Sequence, residues 1–258
     1  MHLHGGGWVI CRPEMEARLC RYLANNAGVV VVAPDYRKAP KYPYPHALEQ
    51  CYAVASWIAS GGLSLSLQKS RHPFASSLKL DTTRLALSGG SAGGNLAAAL
   101  TTLALTRPLP HGTKIVSNGL LYPSLKLTIP YKEKTAHMNP ERNLPSWASL
   151  FFFRAYLPPP RQSSDPFVSP ALAPDDVLSR FPPSVILTAA YDYLAKEGED
   201  FAKKLESLGV DVKSKRFEGV GHGFDGTPTR DKEQRLRNTN AREIAYGMIA
   251  DVFRATLW

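Results

Sequence analysis

Short apolar runs alternate with longer stretches of helical periodicity along this chain. Residues 29–33, Val-Val-Val-Val-Ala, are continuously apolar and stop at Pro34, the pattern of a strand buried on both faces. Residues 84–88, 115–121, 185–188 and 212–217 are further strand candidates, and helical patterns occupy 14–26, 45–60, 92–106 and 195–208. A final helix is expected from about residue 240 to the end. Strand and helix in regular alternation imply right-handed crossovers, hence an α/β fold with a mainly parallel sheet of about six strands and helices on both faces. Such sheets place their chemistry in loops at the carboxyl ends of the strands.

Two stretches break the rhythm. Residues 61–80, rich in Ser, Leu, Lys and Gly, read as a loop insertion with weak structure of its own. Residues 124–183 are crowded with proline and separate two strands by far more than a short crossover, which predicts a helical, cap-like excursion over the sheet. Its main helix is expected at 145–157, around Trp147, Leu150, Phe151 and Tyr156. The 258 residues fit one domain, 1–258, because single cores stop growing at roughly 250–300 residues.

Composition narrows the class. With 44% hydrophobic and 21% charged residues the chain resembles an ordinary globular enzyme, and no window reaches the ~18 apolar residues of a membrane span. The formal charge of +9 raises a nucleic-acid reading. Yet the basic residues are scattered, with no block of like charge and no aromatic–basic interleaving, so a solvated basic surface is expected and no nucleic-acid partner. Cys11, Cys20 and Cys51 are odd in number and lack paired spacing, which argues against a disulfide framework and a zinc site and fits a reducing compartment. The first residues lack the basic start and apolar core of a signal peptide, so a cytoplasmic location is expected.

Four motifs carry chemistry. Gly89-Gly90-Ser91-Ala92-Gly93 stands between a strand and an alanine-rich helix. A serine exposed above a sheet needs a sharp, strained strand-to-helix turn, and residues two before and two after must lack side chains. The alternative is a plain glycine-rich turn or a phosphate loop. In His4-Gly5-Gly6-Gly7-Trp8, consecutive glycines present N–H groups that, with the N–H of Ala92, would stabilise an oxyanion. A flexible turn is the alternative, and His4 itself reads as orienting the loop. His222, flanked by Gly221 and Gly223 after a strand, has the loop setting of a general base. His2, His46, His72, His111 and His137 lack it. Asp192, just past the strand at 185–188, is a better acid to orient His222 than Glu197, Glu199 or Asp200, which fall within the next helix. The order Ser91, Asp192, His222 is that of an α/β-hydrolase.

Together these residues resemble the hormone-sensitive-lipase-like branch of the α/β-hydrolase superfamily, carboxylesterases and lipases. The resemblance runs through His4 to Gly7, Asp35-Tyr36-Arg37-Lys38-Ala39-Pro40, Gly90-Ser91-Ala92-Gly93-Gly94-Asn95, Ser169-Pro170, Tyr191-Asp192-Tyr193-Leu194 with Glu197-Gly198, and His222-Gly223-Phe224. It implies Ser91, Asp192 and His222 as nucleophile, acid and base, and Gly5, Gly6, Gly7 and Ala92 as oxyanion donors. It also implies that the Asp35-Tyr36-Arg37 segment braces the site.

The chain departs from the pattern at Gly90, where Asp is common, and at Tyr193 and Lys196, where Pro and a second acid are frequent. It also begins only three residues before His4, where the family has further strands and cap helices, so this start is expected to truncate a longer enzyme. Hydrolysis of a small carboxylic ester through an acyl-enzyme on Ser91, without metal or organic cofactor, is the leading expectation. Acyl transfer to another acceptor in secondary metabolism, or an inactive binding module, are the rivals. Trp147, Phe151, Phe152 and Phe153 either line an acyl pocket or pack the excursion onto the sheet.

Overall fold

The computed structural model describes residues 1–71, 74–136, 146–160 and 163–258. Five parallel strands form one sheet in the order β1 (His2–Leu3), β2 (Arg84–Gly90), β3 (Lys114–Leu121), β4 (Ser184–Tyr191) and β5 (Val212–Gly221). The helices are α1 (Ala17–Ala27), α2 (His46–Ala59), α3 (Gly62–Gln68), α4 (Ala92–Thr106), α5 (Tyr131–Thr135), α6 (Ser146–Tyr156), α7 (Asp175–Leu178), α8 (Ala195–Ser207) and α9 (Lys232–Leu257).

Side-chain alternation on the strands feeds two cores, as period-two geometry requires. Leu85, Leu87 and Ile186 face a core closed by α2, α4 and α8, while Ala86, Val185 and Leu187 face one closed by α1 and α9. Helix α4 runs through the first core with every residue from Ala92 to Leu103 buried, which explains its alanine content: small side chains let it lie close on β2 and β3. At the far edge, β5 exposes Lys213 and Lys215, charges that discourage pairing with another chain.

Three expectations need correction. Residues 29–33 form no ladder strand: they run extended beside β1, and the N–H of His2 donates to the Val32 carbonyl at 2.8 Å. A strand of two residues offers that side too few groups for a ladder, so among the described residues the sheet has five strands rather than about six, and Val30 is exposed rather than buried. Residues 61–80 are not without structure, because α3 and a short 3₁₀ turn at Ala75–Ser77 lie within them. Helix α9 starts eight residues before the expected position, at Lys232. Its first two turns carry a single apolar residue, the exposed Leu236, and give no apolar period, but the Asp231 carboxylate accepts from the N–H groups of Glu233 and Gln234 and caps it. In the excursion, α6 forms where the main helix was expected, and α5 and α7 are short additions. Pro145, at the expected start of α6, and His72 and His137 lie outside the described residues. Among the described residues no helix is long and apolar enough to cross a membrane.

Candidate active site

Ser91 links β2 to α4 with φ 56° and ψ −120°, a backbone conformation costly for a residue with a side chain. The turn is held by a 2.9 Å hydrogen bond from the Ser91 N–H to the Leu121 carbonyl. Its glycine spacing has a measurable cause. A Cβ on Gly93 would stand 1.9 Å from the Leu3 carbonyl oxygen, and one on Gly89 would stand 2.3 Å from that of Gly93. Nothing larger than glycine lets the helix start this close to two strands.

The structure brings Ser91, Asp192 and His222 together across 131 residues of chain. His222 Nε2 lies 2.9 Å from Ser91 Oγ, and Nδ1 lies 2.8 Å from Asp192 Oδ2. A buried carboxylate only accepts, so Nδ1 carries the proton and Nε2 is free to take one from the serine. Asp192 follows β4 directly, and its other oxygen accepts from the Leu194 N–H at 3.0 Å. Burial opposes a charged imidazole at His222, but the charge and hydrogen bond of Asp192, with the charge of Asp225 adding to them, outweigh it and hold its pKa above the ordinary value.

The four expected donors divide. The N–H of Gly5 is already committed, donating to Glu16 Oε1 at 2.6 Å, so it is withdrawn as an oxyanion donor. Gly6 and Gly7 carry positive φ and their N–H groups make no hydrogen bond among the described residues, and Ala92 is the first residue of α4, ahead of the intrahelical ladder. Gly7 tolerates no side chain, since a Cβ there would meet the Phe152 ring of α6 at 2.4 Å.

Around this loop the structure shows what sequence reading missed. Glu16 spans two partners, with Oε2 also 2.6 Å from Nε2 of the buried His2, whose Nδ1 is 2.9 Å from Ser88 Oγ. Burial raises the cost of its charge, but the hydrogen bonds from His2 and Gly5 prevail and hold its carboxyl below the usual range. Glu16 drew no attention because an acid beside a helix start has an ordinary explanation in the helix dipole. His4 is fully buried, donates from Nδ1 to its neighbour's carbonyl at 2.7 Å and stacks on Tyr36 at 4.3 Å, and burial holds its pKa below the ordinary value. The Tyr36 hydroxyl donates to the His4 carbonyl at 2.8 Å. His4 and Tyr36 thus brace the loop.

Ser91 and His222 open into a cavity of about 1000 Å³ whose walls include Phe152, Phe153, Tyr131, Tyr193 and Leu127 from the excursion and the region after β4. The aromatic run divides: Phe152 and Phe153 face the cavity, whereas Trp147 and Phe151 face a separate apolar hollow of about 470 Å³ that does not reach Ser91. A Lys134–Glu197 ion pair, shut away from solvent, ties α5 to α8 beneath the cavity. Glu197 also accepts from the Leu125 N–H at 2.8 Å, which makes it a fastener of the excursion rather than a partner of His222. Among the described residues no cluster of side chains has the make-up of a metal site.

A strand–turn–helix serine hydrogen-bonded to a histidine and through it to a buried acid, all at strand ends, is the arrangement of a serine hydrolase of α/β architecture. A sequence profile described as alpha/beta hydrolase fold matches residues 1–226, and the chain belongs to that family. It is 30% identical over 236 residues to an arylesterase of Saccharolobus solfataricus, covering 90% of this chain and 70% of the relative. An esterase of Gibberella moniliformis is 31% identical over 226 residues, 86% of this chain and 65% of its own length. The chain thus spans about two thirds of the length of these relatives. Among solved structures, carboxyl esterase 2 of the mycorrhizal fungus Tuber melanosporum superposes with a TM-score of 0.83 at 27% identity, covering all of this chain and 78% of that one.

Proposed function

We propose that this chain hydrolyses small carboxylic esters by a two-step acyl-enzyme route with Ser91 as nucleophile. The observation that carries the reading is the hydrogen-bonded series from Ser91 Oγ through His222 to Asp192, at 2.9 and 2.8 Å, opening into the cavity beside the unengaged N–H groups of Gly6 and Gly7. The esterase names of its relatives agree with it. His222 Nε2 takes the Ser91 proton as Oγ bonds to the ester carbonyl carbon, and the resulting oxyanion accepts from Gly6, Gly7 and Ala92. One such donor is typically worth about 3–4 kcal/mol of transition-state stabilisation. The C–O bond to the alcohol breaks, and the alcohol leaves with the proton held on His222. Water then attacks the acyl-serine, giving its proton to His222, and the acid departs as Ser91 is restored. Asp192 keeps the productive tautomer and favours the transient imidazolium.

Ser91→Ala is expected to abolish turnover of short p-nitrophenyl esters and labelling by a fluorophosphonate probe. Labelling that persists in that variant overturns the assignment.

A further inference from the structure

We propose that Asp225 is a positioning residue for His222, acting through the Tyr122 ring and held by the hydroxyls of Tyr122 and Tyr246. The proposal rests on the reading of His222 as general base. Tyr122 follows β3 immediately and has φ 34°, a left-handed backbone for an aromatic residue. Strain of that kind persists only where surrounding structure enforces it, and it gathers at functional sites. Here the enforcing contact is a 2.6 Å hydrogen bond from the Tyr122 N–H to the Leu187 carbonyl.

The strained backbone delivers the ring to a definite place. Its centroid lies 4.8 Å from that of His222, with the planes tilted by 59°, and Phe224 meets its edge at 5.7 Å. The ring also covers Gly90, where a Cβ would stand 3.1 Å from Tyr122 Cε2. The missing side chain just before the nucleophile therefore gives the ring room that a Cβ would narrow by a few tenths of an ångström. The Tyr122 hydroxyl donates to Asp225 Oδ1, and the Tyr246 hydroxyl, from α9, donates to Oδ2 at 2.9 Å. Burial keeps both tyrosines neutral and therefore able to donate. Asp225 sits three residues after His222 on the same turn, which closes through the Thr227 N–H on the Gly223 carbonyl at 2.9 Å. One carboxylate thus fastens the histidine turn to β3 and to α9.

The groups facing His222 are Ser91 after β2, Tyr122 after β3, Asp192 after β4 and Asp225 on its own turn, with Tyr246 behind on α9. The charge of Glu16 is felt at both tyrosines, and that of Arg242 at Tyr246. The negative charge of Asp225 therefore adds to that of Asp192 in favouring the imidazolium, while the clamp fixes the ring that flanks it.

The test is an NMR titration of the His222 imidazole in the full chain, wild type against Asp225→Asn, which needs no assumption about Ser91. The midpoint is expected to fall on loss of the charge, with kcat reduced several-fold and KM little changed. Tyr122→Phe removes one hydroxyl and keeps the ring, so it serves even where Asp225→Asn folds poorly. It is expected to lower kcat at constant KM, and Tyr246→Phe to do so less. An unmoved midpoint in Asp225→Asn, or kinetics unchanged in Tyr122→Phe, overturns the proposal.

Discussion

Ser91, Asp192 and His222 each stand just past a strand, β2, β4 or β5, of seven, eight or ten residues, whereas the loop from His4 to Trp8 follows a strand of two. The first three inherit their positions from long parallel ladders between neighbouring strands. The donor loop inherits little from its ladder and is held by side chains that reach it from elsewhere: Glu16 on the Gly5 N–H, the Tyr36 hydroxyl on the His4 carbonyl, and the Phe152 ring against Gly7. One half of the site is positioned by backbone, the other by side chains. Single substitutions remote from the chemistry should therefore hurt the second half and spare the first, while substitutions within the triad should be the most damaging of all.

The largest effect is expected from Asp192→Asn. The backbone placing His222 stays, but the acceptor that selects the imidazole tautomer is lost, and kcat for p-nitrophenyl acetate is expected to fall by about 10⁴-fold with the fold intact by circular dichroism. Glu16→Ala comes next. It removes no reacting group, yet it frees the Gly5 N–H and the His2 ring together. Losing one oxyanion donor outright costs about 10²–10³ in kcat, so a loosened loop is expected to cost about 10–100-fold, with KM changed less than about threefold. Stopped-flow or steady-state kinetics on both variants compares the two halves directly, and a Glu16→Ala enzyme of wild-type kcat would erase the contrast.

This division matches what could be read from sequence. The serine turn was legible because its requirements are local: two glycines at fixed spacing, a strand before and an alanine-rich helix after. Asp192 and His222 were legible because parallel sheets put chemistry at strand ends: Asp192 follows the apolar run of β4, and His222 stands between two glycines after β5. The roles of Glu16, Tyr122 and Asp225 were not, because each depends on contacts that only the fold creates, such as that between Tyr122 and Asp225, 103 positions apart. The donor role given to Gly5 failed for the same reason, since nothing near it in sequence says that Glu16 occupies its N–H. Residues 29–33 misled by composition alone, because their apolar run has a two-residue neighbour that cannot complete a ladder. The polar start of α9 was invisible to periodicity and is explained by its Asp231 cap.

Acid pH sharpens the contrast next. A protonated His222 cannot accept from Ser91, and its folded-state pKa is raised, so the acid limb of kcat/KM is expected to have its midpoint above the ordinary imidazole value of about 6.5. One pH unit below that midpoint activity should be down about tenfold. The same shift acts oppositely on stability: the imidazolium's partners stabilise the fold below pH 6.5, and that contribution fades as pH rises through the raised value. Glu16→Ala should lower the whole profile and leave its midpoint in place, whereas Asp192→Asn should move the midpoint down. Equal movement in both would show that the donor loop and the triad are not separable.

The smallest expected effect lies on α6, where one helix serves the site with one face only. Phe153 is half-buried and lines the cavity, while Phe151 is exposed over the separate hollow. Truncating Phe153 enlarges the space available to an acyl chain and removes apolar contact from it. Phe153→Ala is therefore expected to raise KM for p-nitrophenyl butyrate by about threefold or more, since a pocket contact of methylene size is worth about 1–3 kcal/mol. Phe151→Ala touches no substrate and is expected to stay within about twofold in both kcat and KM, as exposed substitutions usually shift stability by no more than about 0.5 kcal/mol. A series of acyl lengths from acetate to octanoate separates the two. If the Phe151 variant loses the longer chains as well, the outer face of α6 also guides substrate, and the cavity reaches further than its present walls.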